Sequence, residues 1–319
     1  MASVLISGDT SGSITISAPA VSGTNTLTLP AVTDTLVGKA TTDTLTNKTL
    51  TSPVLTAPAL GTPASGVLTN CTGVVSTGTA RLLFVSTTSM SLSVGNVPLK
   101  IGAVWSNKPI TSAATISNSG LSASTLYYCY LYDNSGTSTL ELSTTSHSSD
   151  GTYGVEIKTG DATRTLVGMI RTNSSSQFAD SATARLTRSW FSDRGYNGEN
   201  TTSTGSTSSA SVVEMSSSNR VEFLTWLSEP WIATASGQHN GTSGGQAYEG
   251  MVAIDGTSTR GNSAGFQPFS ASVNVPATSI YFNLSLAEGY HYATWVGRAS
   301  GGTYSASVTV AVHAPGSGY

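Results

Sequence analysis

The stretch Leu126-Tyr127-Tyr128-Cys129-Tyr130-Leu131-Tyr132 is apolar or aromatic at every position. A continuous run of this length is typical of a central β-strand that is covered on both faces. The turn signal Asp133-Asn134-Ser135-Gly136 follows it directly, and shorter apolar runs lie on either side. We therefore predict a β-rich middle domain over residues 79–198. Its other predicted strands are residues 82–85, 140–142, 155–157 and 166–170.

A second β domain is predicted over residues 211–319. Residues 221–226 and 307–312 alternate apolar and polar side chains, as strands with one buried face do. Short strands with frequent turns, among them 273–275 and 280–286, favour a sandwich or jelly roll. Residues 199–210 are rich in Ser and Thr and are predicted to be a polar linker. A short helix is expected around residues 178–187.

The composition agrees with an all-β chain. Its 319 residues include 52 Ser and 48 Thr, with 14 basic and 17 acidic residues. The shortage of Glu and Lys argues against helical bundles, and the absence of a basic excess argues against nucleic-acid binding. No apolar run approaches the ~20 residues of a membrane-spanning helix, so we expect no membrane insertion.

Cysteine and histidine give no sign of a metal or cofactor site. Cys71 and Cys129 lie 58 residues apart, which is neither a disulfide framework nor a zinc motif. We expect two partly buried thiols in a protein assembled in a reducing cytoplasm. The four histidines are widely separated and form no metal-ligand pattern, so we expect no metal and no cofactor.

Residues 1–78 differ from the rest, because they contain no aromatic residue and five charged ones. Residues 13–17 and 26–29 alternate with period two and predict short strands. Leucine and proline then recur every five residues, which fits neither a helix nor a strand. The repeat favours either an extended chain intertwined with other copies or a flexible linker. The residues predicted to pack in such a shaft are Leu45, Leu50, Leu55, Leu60, Pro53, Pro58 and Pro63.

Several segments of the N-terminal two thirds resemble bacteriophage tail-fibre and related virion-appendage proteins. The segments are residues 11–20 (SGSITISAPA), 23–31 (GTNTLTLPA), 43–53 (DTLTNKTLTSP), 59–73 (ALGTPASGVLTNCTG), 160–169 (GDATRTLVGM) and 178–182 (FADSA). Residues 289–292 (GYHY) and 301–304 (GGTY) are more loosely similar to trimeric jelly-roll tips.

The resemblance implies an elongated homotrimeric fibre located in the virion. Its N-terminal region, 1–78, would attach to other virion proteins, and its C-terminal tip, 211–319, would meet a host-surface polysaccharide or outer-membrane receptor. The short chain favours a short fibre, a spike, or a head fibre or decoration protein mounted on the capsid. The pentapeptide repeat would then be an intertwined shaft.

Polysaccharide cleavage is the enzymatic alternative, because some phage spikes degrade capsule. It needs two carboxylates about 5–10 Å apart. The acidic residues of the C-terminal domain are Glu222, Glu229, Glu249, Asp255 and Glu288. Solvated loop acids explain five such residues more simply, and we expect no catalytic residues and no enzymatic activity.

Receptor binding is the preferred function of the C-terminal domain. Sugars stack on exposed aromatic rings and bond to amide groups. The candidate receptor contacts are Trp231, His239, Tyr248, Gln246 and Asn240, which stand in Gly- and Ser-rich sequence expected to form loops. Three linked copies would raise avidity by ~10²–10⁴.

Arginines are concentrated in the middle domain. They are Arg164, Arg171, Arg185, Arg188 and Arg194, and they alternate with acids. One interpretation is ion pairs between domains or subunits, and the other is a docking surface for an anionic glycan.

Overall fold

Strand follows strand throughout the computed structural model, which describes residues 3–7, 10–17, 23–24, 49, 51, 78–265, 271–283 and 286–316. These residues form 24 β-strands and one short 3-10 helix, Ser217–Asn219. The strands are β1 (Ser3–Ser7), β2 (Ser13–Ser17), β3 (Leu82–Ser86), β4 (Ser89–Leu92), β5 (Gly95–Ile101), β6 (Val104–Ile110), β7 (Ala114–Ser117), β8 (Leu126–Asn134), β9 (Thr137–Ser143), β10 (His147–Ser149), β11 (Glu156–Lys158), β12 (Asp161–Arg171), β13 (Asp180–Ser181), β14 (Ala184–Arg185), β15 (Thr187–Ser189), β16 (Gly195–Thr207), β17 (Val213–Glu214), β18 (Val221–Thr225), β19 (Trp231–Gly241), β20 (Tyr248–Ile254), β21 (Thr259–Arg260), β22 (Val275–Asn283), β23 (Gly289–Ala299) and β24 (Tyr304–Pro315). The predicted all-β class is confirmed.

The contacts divide the chain into two compact units, Met1–Ser65 and Gly66–Tyr319. In the first unit, β1 and β2 form an antiparallel hairpin in which Val4 lies opposite Ile16. The predicted strand at 13–17 is therefore confirmed. The predicted strand at 26–29 and the shaft residues lie outside the described residues. Those shaft residues are Leu45, Leu50, Leu55, Leu60, Pro53, Pro58 and Pro63.

The larger unit contains three main sheets. Sheet I has the strand order β10-β11-β12-β8-β9, with β15 also paired to β12. Sheet II has the order β13-β14-β18-β23-β20-β21, with β17 paired to β23, and sheet III has the order β16-β24-β19-β22. Two smaller sheets, β3-β4-β7 and β5-β6, complete the unit.

Sheets II and III pack face to face as a β-sandwich. Trp295 of sheet II and Trp231, Val308 and Val310 of sheet III share one core cluster and are at most 2% exposed. In β24 the inward side chains alternate with outward ones, as the sequence pattern predicted. A sandwich core of this kind removes the apolar face of both sheets from water.

Strand β8 lies inside sheet I, between β12 and β9, and is covered on both faces, which confirms the prediction from its continuous apolar run. Cys129 and Leu131 pack with β3, β4 and β12 on one face. Tyr128 and Tyr130 pack on the other face against Trp226, which follows β18 of sheet II. The two β regions predicted as separate therefore share a hydrophobic cluster within one unit.

Two local predictions are wrong. Residues 199–207 of the predicted linker belong to β16, whose pairing with β24 runs from Gly195 opposite Pro315 to Thr207 opposite Tyr304. The predicted helix at 178–187 is replaced by β13, β14 and the start of β15. In both segments, pairing with distant strands decides the structure, and Thr-rich sequence fits a half-buried strand well.

Candidate functional site

Three of the predicted receptor contacts are core residues, so their prediction as exposed loop residues is wrong. Trp231 is 1% exposed, Tyr248 0% and His239 2%, and they lie in β19 and β20. The Trp231 ring stacks on Tyr281 with 5.5 Å between centroids. The small residues around Trp231 and His239, which suggested a loop, instead allow β19 to pack closely between β22 and β24.

The structure brings His239 and Tyr248 together around Tyr304. The His239 Nδ1 atom lies 3.1 Å from the Tyr304 hydroxyl, and the rings of Tyr248 and Tyr304 stack 6.2 Å apart. Burial lowers the pKa of His239 to about 4. These groups stabilise the sandwich interior and offer no ring face to a ligand.

The two predicted amide contacts are partly exposed and are held by neighbours. Asn240 donates from Nδ2 to Asn274 Oδ1 at 2.9 Å. Gln246 Oε1 accepts a hydrogen bond of 3.2 Å from the Ser300 hydroxyl. Asn240 lies near the end of β19, and Gln246 lies in the segment between β19 and β20.

Each acidic residue considered for sugar cleavage has a partner. Glu229 binds Arg188, Glu249 binds Arg298, and Asp255 Oδ2 lies 2.5 Å from His291 Nδ1. Glu222 accepts a hydrogen bond of 2.5 Å from the Tyr290 hydroxyl. Glu288 bonds to His147 and Tyr128.

Polar and aromatic groups join sheet I to sheet II in a region called here the inter-sheet interface. It consists of Tyr128, His147, Arg171 and Arg188 from sheet I with Trp226, Glu229, Glu288 and Tyr290 from the sheet II side. Arg171, for example, lies over the Tyr290 ring, with 3.7 Å from its guanidinium carbon to the centroid.

Arg188 is the most buried charge of this interface, with a side chain 1% exposed. Its Nη1 and Nη2 atoms donate to the two carboxylate oxygens of Glu229 at 2.8 and 2.5 Å, and Nε donates to Asp193 at 2.8 Å. Nη1 also donates to the Leu224 carbonyl at 2.9 Å. Burial lowers the pKa of Arg188, but the bond to Glu229 and the charge of Asp193 outweigh it, so the pKa is raised.

His147 forms a second polar link across the interface. Its Nδ1 lies 2.5 Å from Glu156 and its Nε2 3.1 Å from Glu288, while Tyr128 donates to Glu288 at 2.8 Å. Burial lowers the pKa of His147, but the bonds to Glu288 and Glu156 outweigh it and raise the pKa. For Glu288, burial raises the pKa, and the bonds from His147 and Tyr128 more than reverse this.

A cavity of about 460 Å³ opens beside Arg188, where β3, β14 and β15 meet the start of β16 and the end of β24. Four arginines line it: Arg81, Arg185, Arg188 and Arg194. The lining carboxylates are Asp180, bonded to Arg185 at 3.2 Å, and Asp193, bonded to Arg188.

The five arginines that the sequence concentrates in the middle domain lie in three different places in the structure. Arg185, Arg188 and Arg194 line the cavity. Arg171 lies at the inter-sheet interface, and Arg164 pairs with Glu141 and Asp161 within sheet I. Sequence reasoning missed Arg81, together with Thr187 and Tyr196 of the same wall, because pairing of distant strands brings them together.

Other features of the described part of the chain bear on function. Cys129 is a buried thiol whose pKa is raised by burial, while Cys71 lies outside the described residues. Within the ranges given above, no group of three or more His, Cys, Asp and Glu side chains is placed to hold a metal ion. In the same ranges, no helix has the length and apolarity needed to cross a bilayer.

No protein-family model and no curated protein matches the sequence. Among solved structures, the chain is similar to the infectious bursal disease virus Gx strain structure at 12% identity and a TM-score of 0.30, covering 76% of this chain and 58% of that one. The crystal structure of the VP2 subviral particle of infectious bursal disease virus is similar at 11% identity and a TM-score of 0.27, over 75% of this chain and 71% of that one. The insecticidal delta-endotoxin Cry8Ea1 from Bacillus thuringiensis is similar at 9% identity and a TM-score of 0.24, over 76% of this chain and 52% of that one. TM-scores of this size do not establish a common fold, and they carry no argument about function.

Replacement of Arg188 by Met should destabilise the protein strongly. The change leaves the buried carboxylates of Asp193 and Glu229 without their cation, which costs about 3–5 kcal/mol of unfolding free energy. Urea unfolding measures the loss. Arg298→Met is the matched control, because its pair with Glu249 is exposed and should change the unfolding midpoint little. Equal losses in the two variants would contradict the role given to Arg188.

Replacement of His147 by Gln should cost more stability at about pH 5.5 than at about pH 8.5. The raised pKa of His147 gives stability that is present below the ordinary histidine pKa of 6.5 and is lost as the pH rises through the folded-state pKa. The lowered pKa of Glu288 gives stability present above 4.5 and lost as the pH falls. Urea unfolding of both proteins at each pH measures the difference, and an equal cost at both values would contradict the charged link.

Proposed function

We propose that the chain is a structural protein of a bacteriophage virion, a homotrimeric fibre or spike subunit assembled in the host cytoplasm. Its N-terminal region attaches to other virion proteins, and its C-terminal β unit binds a host-surface glycan or other receptor. The protein acts by binding and assembly rather than by catalysis. The sequence segments that resemble virion-appendage proteins support this proposal, and one structural observation carries it.

That observation is the exposed apolar hairpin β1–β2. Val4, Leu5, Ile6 and Ile16 are 62, 63, 50 and 47% exposed. Val4, Leu5 and Ile6 are consecutive, so apolar side chains lie on both faces of the hairpin. Among the described residues, β1 and β2 pair with each other alone. A single two-stranded hairpin is marginally stable in water, and contiguous exposed apolar surface marks an interaction site.

Other copies of the same chain are the partner that the proposal names for this hairpin. Both of its strands are edge strands with backbone groups free to pair. Val4, Ile6 and Ile16 share one exposed aliphatic face, whereas Leu5 shares the other face with Ser7, Ser13 and Thr15. Symmetric association of identical chains would cover the aliphatic face and pair the edges. The intertwined shaft predicted for the following residues would continue the same association.

The receptor-binding part of the proposal rests on two amide side chains. Trp231, His239 and Tyr248 are in the core, and they leave Asn240 and Gln246 as the partly exposed candidates. Weak contacts by amides suit a protein that gains avidity from three linked copies.

The hairpin is tested by the double variant Val4→Asn/Ile16→Asn of the full chain. We expect a wild-type trimer in light scattering after size-exclusion chromatography, and a shift of the variant towards the monomer because the apolar contact is lost. Val94→Asn is the matched control, since Val94 is also exposed, at 61%, but lies in the larger unit. A monomeric wild type, or a variant that stays trimeric, would overturn the assignment of the hairpin.

A deletion tests attachment to the virion separately. Removal of residues 1–65 spares Gly78, which packs against Phe191 in the larger unit. We expect the remaining chain to fold, as circular dichroism would show, and to be missing from purified particles. Incorporation of the truncated chain at the wild-type level would contradict the anchoring role.

A further inference from the structure

The arginine-lined cavity beside Arg188 contains an unusual set of polar atoms. Within the described residues, six buried side-chain nitrogen or oxygen atoms have no hydrogen-bond partner. Three of them, Arg81 Nε, Thr187 Oγ1 and the Tyr196 hydroxyl, belong to residues that line this cavity. The other three are indole nitrogens of buried tryptophans. Buried polar groups almost always have partners, so Arg81 Nε and Thr187 Oγ1 mark a wall whose hydrogen bonds are incomplete.

The charges around the cavity favour an anion. Four arginines line it, against the carboxylates of Asp180 and Asp193. Glu229 adds a third carboxylate through its bond to Arg188, so four positive charges face three negative ones and one positive charge is in excess. Burial raises the pKa of Asp180, while the hydrogen bond and charge of Arg185 act in the opposite direction.

Two of the four arginines have no carboxylate within salt-bridge distance in the described part of the chain. Arg188 binds Asp193 and Glu229, and Arg185 binds Asp180. Arg81 and Arg194 form no such pair, and Arg194 is exposed at the mouth of the cavity. A guanidinium has five donors in a planar fork that suits the oxygens of a carboxylate, sulfate or phosphate.

The fixed geometry of the wall also suits recognition. The Arg188 guanidinium is held by its two carboxylates and lies over the Tyr196 ring, 4.9 Å from its centroid. Thr187 precedes Arg188 in β15, which is paired to β12. The Arg188 side of the cavity is therefore preorganised, while Arg81 and Arg194 directly precede β3 and β16.

We propose that this cavity binds an anionic ligand through one carboxylate, sulfate or phosphate group, with Arg81 and Arg194 as its cationic partners. At about 460 Å³ the cavity exceeds the size of an inorganic ion and falls within the range of small-molecule pockets. A sugar that carries an acidic group fits both the volume and the charge. The site is independent of the virion role proposed above.

Isothermal titration calorimetry of the full chain tests the site. The probes are glucuronate, glucose 6-sulfate and glucose 6-phosphate, with glucose as the neutral control. We expect at least one acidic sugar to bind and glucose not to bind, and the order of the three affinities tells which oxyanion the cavity prefers. Absence of heat with all three at millimolar concentration, or equal binding of glucose, would overturn the proposal and leave a water-filled cavity.

Variants assign the binding to the cavity. Arg81→Gln and Arg194→Gln should each weaken binding about tenfold or more, because a charge-assisted hydrogen bond is lost. Arg260→Gln is the matched control, since Arg260 is exposed in β21 and lies outside the cavity. If Arg260→Gln weakens binding as much as Arg194→Gln does, the attraction is nonspecific and the proposal fails.

Discussion

Arg188 and its two carboxylates impose the strongest constraint on the larger unit. Three charges with side chains at most 5% exposed must keep all their partners, because an uncompensated charge in such a place is very costly. The partners come from different parts of the chain. Arg188 lies in β15 of sheet I, while Leu224 and Glu229 belong to β18 and the loop after it. The cluster therefore fixes the position of sheet I against sheet II.

The other contacts of the inter-sheet interface also hold sheet I against sheet II. His147 reaches Glu288 from β10, and beside the interface Trp190, which directly follows β15, meets Trp226 edge to face at 4.9 Å. Hydrophobic burial supplies most of the favourable energy, while the polar pairs select one arrangement of the sheets. The cavity is a consequence of this arrangement, since Arg188 forms part of its wall and the other arginines are brought to it by neighbouring strands.

The sequence predicts the regular parts of this fold well. The run at 126–132 identifies a strand buried on both faces, and alternation identifies β18 and β24, because burial leaves a direct mark on residue order. Residues 199–207 and 178–187 are predicted wrongly because their structure depends on β24 and β18, which are distant in sequence. Local composition carries no record of such pairings.

The candidate site is less predictable for a related reason. The cluster of arginines is visible in the sequence, and three of its five members do line the cavity. Arg81 and Tyr196 join them through tertiary contacts that no spacing indicates. The aromatic residues suggested a sugar site because small residues such as Ala233 and Gly241 surround them in the sequence or the structure. Small residues occur in loops but also in closely packed strands, so they do not show whether Trp231 and Tyr248 are exposed.

Native-state hydrogen exchange of the full chain tests most directly whether sheets I and II form one cooperative unit. The amides of Leu166 in sheet I and Trp295 in sheet II are central in their strands and should be among the best protected. If the inter-sheet interface couples them, both should exchange with the same free energy of opening and the same dependence on denaturant. Opening of one sheet at low denaturant while the other remains protected would contradict the account.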